Sequence, residues 1–276
     1  MTALAIILFS LIFLLLVFAI AWAFLVAPAR RDPRMDKFIK TKYAHRGLHG
    51  EGVCENSMTA FARAAEAGYG IELDVRLSSD GELVVFHDDT LLRVAGIDKK
   101  VAELTREELS RVHIGGTDDC VPTLREVLEL VDGRVPLLIE IKMGIGEDAV
   151  VFKFLEVIES YRGEYIVESF NPSALKIIRE KRPDILVGFL SMEYSKTETF
   201  RGKKVYRCLE LLLSDFMYRP NFIAYDKAGA GKLTLKAMKK LFSANLVAWT
   251  VKSAEEEENI KNVFDTVIFE GYLPEK

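Results

Sequence analysis

The chain has 276 residues, half of them apolar, and a formal net charge of −4 from 37 Lys and Arg against 41 Asp and Glu. That balance leaves no cationic excess for neutralising phosphates and argues against a nucleic-acid surface. Three widely spaced cysteines, Cys54, Cys120 and Cys208, show neither disulfide-scaffold density nor CxxC spacing, and read as free thiols in a reducing compartment.

The first element is apolar from Ala3 to Ala27, with Ser10 the one polar interruption. As a helix it rises ~38 Å, enough to cross a ~30 Å hydrocarbon core with some tilt. The apolar run exceeds the ~7–15 residues of a signal peptide and no basic residue precedes it, so residues 3–27 read as an uncleaved transmembrane helix. Residues 28–41 read as a basic juxtamembrane linker: Arg30, Arg31, Arg34, Lys37 and Lys40, then Lys42, outnumber Asp32 and Asp36. The positive-inside rule then places residues 42–276 in the cytoplasm, with the basic flank near anionic lipid headgroups.

Beyond the linker, β-rich runs alternate with amphipathic helical stretches. The expected strands are Lys42–Arg46, Gly70–Arg76, Leu83–His87, Leu137–Lys142, Tyr165–Phe170, Ile185–Leu190, Phe222–Asp226, Leu246–Val251 and Thr266–Glu270. Helices are expected near Ser57–Ala67, Leu104–Val112, Thr123–Val131, Asp148–Tyr161, Pro172–Lys181, Val205–Leu213, Leu235–Phe242 and Ala254–Val263. Such alternation predicts a parallel sheet, and this many units predict a closed (β/α)8 TIM barrel. Nine strands are one too many. Ser78-Ser79-Asp80-Gly81 is too short for a crossover helix, so Gly70–Arg76 and Leu83–His87 form an antiparallel hairpin with the second arm as an excursion. Paired positions then sum to about 160, which sets Asp74 opposite Phe86 or His87 and Glu72 opposite about Asp88.

The chemistry-bearing residues fall at strand ends. In "IELDV", Glu72 and Asp74 share a face, and in "LLIEIK" so do Glu140 and Lys142. Acids inside apolar strands need partners or a metal, and Glu72, Asp74 and Glu140 together make an oxygen-ligand set for a hard divalent cation. A structural ion pair is the competing reading for any one of them alone. His45 and His87 each end a strand beside these carboxylates and suit a general acid and base. His49 and His113 lack that context and read as loop and helix-end residues. Arg46 suits a phosphate through its planar guanidinium, Lys142 adds a second cation, and Glu55 can reach the site while Asn56 or Ser57 caps the next helix.

In order along the chain, "AHRG", "ENS", "IELDV", "VVFHD", "PTLREVL", "IEIK" and "AWTV" resemble the glycerophosphodiester phosphodiesterase family over about Tyr43 to Val251. The resemblance implies a TIM-barrel hydrolase that uses Mg2+ or Ca2+ to release an alcohol and glycerol 3-phosphate from a glycerophosphodiester. By motif it implies His45 and His87 as the acid–base pair, Glu72, Asp74 and Glu140 as metal ligands, and Arg46 and Lys142 on the substrate side. Trp249 covers the glycerol or alcohol portion or is a buried barrel residue. This chain departs from the family pattern at Cys54, Arg93-Val94, Lys252 and Phe269-Glu270. The last two positions lie on the late rim and are expected to bear on the leaving group more than on catalysis. The segment between Asp88 and Val121 is short for a large capping subdomain. Alternatives are lysophospholipase D-type hydrolysis of lysophospholipids at the membrane, and a non-catalytic anchored binding protein, against which the full set of chemical residues argues.

Overall fold

The computed structural model describes residues 3–144 and 146–275. Nine strands form one sheet: β1 (Tyr43–Ala44), β2 (Gly70–Leu77), β3 (Leu83–Val85), β4 (Leu137–Ile141), β5 (Tyr165–Ser169), β6 (Val187–Ser191), β7 (Phe222–Asp226), β8 (Asn245–Val251) and β9 (Thr266–Phe269). β1 pairs with both β2 and β9, which closes the sheet. Every pairing is parallel except β2 with β3. The result is an eight-stranded parallel barrel with one antiparallel excursion. The excursion keeps the expected register, Val75 opposite Val85 and Leu77 opposite Leu83.

Two expectations at its end change. β3 stops at Val85, so Asp88 does not face Glu72 but turns aside to Arg93. β1 is only two residues long because Arg46 takes a left-handed φ of 55° and leaves the sheet.

The helices are α1 (Ala3–Val26), α2 (Met35–Phe38), α3 (Met58–Glu66), α4 (Leu92–Ala95), α5 (Arg106–Leu109), α6 (Leu124–Val131), α7 (Ala149–Ile158), α8 (Pro172–Lys181), α9 (Lys204–Glu210), α10 (Leu233–Phe242) and α11 (Ala254–Ile260). Their starts follow the capping chemistry. Ser57, Thr123 and Ser253 each accept the main-chain N–H three residues on, satisfying donors the helix cannot. The stretch expected as a helix over Leu104–Val112 is only α5, because Val112 turns back to pair with Val121. Residues around it form a small apolar cluster of their own, with Phe86, Leu91, Leu109 and Ile114 at its centre.

Alternation along the strands divides the main core in two. Ile71, Leu73, Ile139, Val167 and Ile223 face the helices, while Tyr43, Leu138, Ile166, Phe222, Val247 and Ile268 fill the barrel. Met35 and Phe38 of α2 join that inner cluster and plug the end where the strands begin. The stretch 28–41, expected as a linker, therefore contributes part of the barrel packing before Lys42. Two glycines make room inside. A Cβ at Gly188 would lie 2.1 Å from the ring of Phe222, and one at Gly70 would lie 2.7 Å from the ring of Tyr43.

α1 is long and apolar enough to cross a membrane. Its last turn is built into the domain: Val26 is buried, and Arg219 donates to the carbonyls of Phe24 and Ala27.

The packing predicts that Gly188→Ala lowers the thermal midpoint, by about 1–3 kcal/mol of stability, the usual cost of overfilling a core. Adding Phe222→Leu should recover part of that loss. A melting curve unchanged by Gly188→Ala would show that the ring is not held against Gly188.

Candidate active site

The catalytic candidates gather at the C-terminal ends of the strands, where barrel loops can surround them. Inward parity carries Glu72 and Asp74 from β2 and Glu140 from β4 to one level, with Asp74 directly beside Glu140 in the register. All three are buried, at 2%, 1% and 6% exposure, and their ligand oxygens lie within 4.8 Å of one another.

Such a cluster needs cations. The Lys142 ammonium sits 3.0 Å from Asp74 Oδ1 and 2.7 Å from Glu140 Oε1. Arg46 gives its main-chain N–H to Glu72 Oε2 at 2.8 Å and its side chain approaches Asp74 at 3.5 Å. Asn56, buried and left-handed at φ 53°, donates to Asp74 Oδ2 at 2.8 Å. Burial would raise Asp74, but Lys142, His87 and Arg46 outweigh it and hold it below the usual carboxylate range. Two formal cations do not balance the acids. Burial, then Asp74 and Glu140, push Glu72 well above the ordinary range, and burial pushes Glu140 up to about 7 despite Lys142. Three buried carboxylates converging with surplus negative charge fit a divalent cation with oxygen ligands, and the all-oxygen set favours a hard ion such as Mg2+ or Ca2+.

The two histidines are built alike. His45 Nδ1 lies 2.7 Å from Glu270 Oε2, and His87 Nδ1 lies 2.6 Å from Asp88 Oδ1. Each carboxylate fixes one ring nitrogen and leaves Nε2 for chemistry. Burial lowers His87 below the ordinary imidazole value; Asp74 opposes the shift, while Lys142 and Arg46 add to it. Glu270 is held low by its hydrogen bond to His45. Glu270 and Lys252, expected to bear on the leaving group, stand behind His45. Glu270 holds a catalytic candidate, and Lys252 holds Glu270 at 3.0 Å.

Arg46 and Glu55 form a pair at 2.7 Å, and Arg93 clamps Glu55 with two further hydrogen bonds while also binding Asp88. Against burial, those guanidiniums bring Glu55 down to about 2. Glu55 thus anchors Arg46, and Ser57 caps α3 while Asn56 serves the acid cluster. Trp249 lies half-buried on β8 with its ring edge-on to Phe170 at 5.5 Å, and its Nε1–H is buried without a partner. Beside Glu140 and Lys142 opens a cleft of about 260 Å³ lined also by Arg76, Asp89, Phe170 and Asn171.

Glu168 was not singled out in the sequence, although "YIVES" has the same parity logic as "LLIEI". It stands beside Glu140 in the register at 1% exposure, with Oε2 unpartnered. Burial, then Glu72 and Glu140, raise it well above the usual range. Asn56, Asp88 and Glu270 were equally invisible as partners, since their roles arise from contacts distant in sequence. His49 lies beside His45 and Glu270, a placement that its loop context does not announce.

Charge crowding predicts opposite effects of Glu72→Gln in two buffers. In chelator the variant should melt higher than the parent chain, because one acid has left a buried like-charged group while the oxygen facing Arg46 remains. With saturating Mg2+ or Ca2+ the parent should gain stability by mass action and the variant gain far less. Equal metal-induced shifts in both proteins would contradict this ligand set.

Residues 45–266 match the glycerophosphoryl diester phosphodiesterase family. A glycerophosphodiester phosphodiesterase of Caldanaerobacter subterraneus subsp. tengcongensis is 38% identical over 158 residues, 53% of this chain and 65% of the relative. A lysophospholipase D of Rattus norvegicus is 30% identical over 154 residues, 51% of this chain and 48% of the relative. The aligned stretches thus span under two thirds of these relatives' lengths. An Oleispira antarctica phosphodiesterase, solved in complex with the product sn-glycerol-3-phosphate, superposes with a TM-score of 0.70 at 22% identity, covering 84% of this chain and 94% of that one. With the family match running through nearly all of the barrel, the chain belongs to the glycerophosphoryl diester phosphodiesterase family.

Proposed function

We propose that this chain is a metal-dependent phosphodiesterase that hydrolyses glycerophosphodiesters to an alcohol and glycerol 3-phosphate. The observation that carries the reading is the convergence of two carboxylate-oriented histidines, Arg46 and three buried acids at one barrel mouth. Glycerol 3-phosphate bound as product in the Oleispira relative supports the substrate class.

In this reading Glu72, Asp74 and Glu140 hold Mg2+ or Ca2+, which supplies charge stabilisation at the phosphoryl oxygens. Arg46, fixed by Glu55 and Asp74, directs its remaining N–H groups at the same oxygens. Lys142 opposes burial at Asp74 and Glu140 and so favours the ionised forms a cation would need, a role other than the direct substrate contact expected from the sequence. His87, kept neutral by burial and by two nearby cations, takes the proton of the attacking hydroxyl. His45, oriented through Nδ1 by Glu270, gives a proton to the departing alcohol oxygen as its bond to phosphorus breaks. The attacking hydroxyl belongs to water or to the glycerol carbon next to the phosphate. Trp249 and Phe170 supply an apolar wall for the glycerol or alcohol portion.

A second substrate reading is a lysophospholipid, hydrolysed in lysophospholipase D fashion. The observation favouring it is α1, which would hold the barrel beside lipid, together with the likeness to the rat lysophospholipase D. The anchor reading itself rests on the length and apolarity of α1 and on its integration with the domain. The basic residues after it favour a cytoplasmic barrel. Comparing glycerophosphocholine with lysophosphatidylcholine as substrates, each with Mg2+ and Ca2+, tests both chemistries.

Two predictions follow from the site's proton-transfer geometry and from its anchor. The kcat/KM profile should be bell-shaped, with its acid limb below the ordinary histidine value of about 6.5, because His87 must lose its proton and burial favours that loss. His45→Ala and His87→Ala should each lose ~10²–10⁴-fold. A nitrophenyl ester, which leaves without protonation, should rescue His45→Ala and leave His87→Ala impaired; rescue of the opposite variant would reverse the roles, and near-parental turnover by either would remove them. For the anchor, protease outside sealed right-side-out vesicles should spare the barrel; its digestion would show the opposite orientation.

A further inference from the structure

Outside the acid cluster, the described residues hold one more group with metal-ligand chemistry. His45, His49 and Glu270 each present a ligand atom within 4.8 Å of the others. Each is partly exposed, so an ion can enter from solvent. His49 Nε2 is buried with no hydrogen-bond partner. An orphaned imidazole nitrogen carries a cost that a metal ion removes, since a buried polar atom without a partner forfeits its bonds to water.

The three come from backbone positions that are tied down. His45 N–H donates to Phe269 at 2.9 Å, His49 N–H to Gly47 at 3.0 Å, and Glu270 N–H to Val251 at 2.9 Å. Between the histidines, Leu48 N–H donates to Ala60 at 3.0 Å, and Gly47 sits so close to α3 that a Cβ there would be 2.8 Å from that of Ala60. The loop therefore brings His49 back toward His45 by construction. Glu270 carries its own counter-ion, Lys252 at 3.0 Å on Oε1, while Oε2 faces His45.

We propose that His45, His49 and Glu270 form a second, inhibitory metal site selective for Zn2+ and similar borderline ions. Two imidazoles and one carboxylate are a common zinc ligand set that leaves a fourth position for water. Tetrahedral bonds of 2.0–2.2 Å set ligand atoms roughly 3.3–3.6 Å apart, inside the 4.8 Å limit of the group and wider than the 2.7 Å hydrogen bond from His45 Nδ1 to Glu270 that the ion would replace. The acid cluster is all oxygen and prefers hard ions; this group has two nitrogens and prefers softer ones. Neighbouring sites of different hardness then separate activation by Mg2+ or Ca2+ from inhibition by Zn2+. Inhibition follows because an ion shared by Glu270 and the Nδ1 edge of His45 takes away the carboxylate that orients this imidazole, and that part rests on His45 being the acid of the proposed function. The binding itself does not.

The test uses the full chain in detergent micelles, purified without a histidine tag. Excess Mg2+ keeps the acid cluster filled while Zn2+ is titrated against a chromophoric chelator. One equivalent of Zn2+ should bind the parent, and His49→Gln should weaken it by at least the roughly tenfold that loss of even an outer-shell partner costs. Co2+ in place of Zn2+ should give a visible ligand-field band that His49→Gln abolishes. His49→Gln should keep basal turnover in chelator-treated buffer and become resistant to Zn2+; His49→Asn serves if the glutamine variant melts early. No Zn2+ uptake by the parent above Mg2+, or equal uptake by the parent and the His49 variants, overturns the site. Uptake that depends on His49 without loss of turnover supports the site and instead removes His45 from proton transfer.

Discussion

The rest of the molecule is arranged around the cost of burying carboxylates at one end of a barrel. An unpaired ionised acid in a low-dielectric interior is unstable by many kcal/mol unless it is protonated, paired or metal-bound. Glu72, Asp74, Glu140 and Glu168 stand together with only Lys142 and Arg46 as close cations. The pattern is graded. Asp74, touched by Lys142, Arg46 and Asn56, stays ionised most easily, whereas Glu168, at the same level of the barrel but with an unpartnered oxygen, does not. The deficit of positive charge fits the cluster to a cation, where a closed salt-bridge network would have no place for one. A fully neutralised group would hold itself together and bind nothing.

Local strain serves the same end. Arg46 and Asn56 both occupy left-handed backbone, at φ 55° and 53°, which side-chain-bearing residues adopt at a cost. At Arg46 that bend turns the main-chain N–H onto Glu72 and sends the guanidinium to Glu55 and Asp74. At Asn56 it brings the amide onto Asp74. The loop between β1 and α3 therefore pays in conformation for two donors aimed at the acids. Around it a chain of pairs runs from Lys252 through Glu270 to His45, and another from Glu55 through Arg93 and Asp88 to His87. Each histidine is thus held by an acid that is itself held by a cation.

The barrel was legible in the sequence because alternation leaves its mark residue by residue: all nine expected strands exist, and the hairpin register follows from a four-residue turn. Glu72, Asp74, Glu140 and Lys142 were legible for the same reason, as charges at matched parity in apolar runs. Strand ends were not, since Arg46 leaves β1 through a backbone conformation that its side chain does not advertise. Nor were the partners of the histidines. Glu270 lies 225 positions from His45, and only closure of the barrel between β1 and β9 makes them neighbours. Met35 and Phe38 looked like part of a charged linker, yet they plug the barrel floor. Composition described the segment correctly, and tertiary packing decided the fate of its two apolar side chains.

The attachment of α1 bears on which substrate the mouth meets. Its last turn is held by Arg219, and Ala29 N–H donates to Pro220 at 2.9 Å. Both residues immediately precede β7, so the helix joins the barrel at the rim where strands begin. The histidines and acids lie at the other rim. Strands of this length, tilted as barrel strands are, separate the two rims by on the order of 15 Å. A soluble glycerophosphodiester approaches such a mouth freely from bulk water. A lysophospholipid must either climb that distance, exposing its chain, or find the barrel lying on its side. The turn that joins α1 carries exposed Phe216 and Met217, with Phe216 against Phe24 of the helix itself. In the proposed anchored state, this apolar flank, continuous with the helix, would make a tilt toward it the orientation that brings the mouth nearest to lipid. On the proposed anchored reading, the choice between the two substrates turns on the angle at one joint, where Arg219 holds the carbonyls of Phe24 and Ala27.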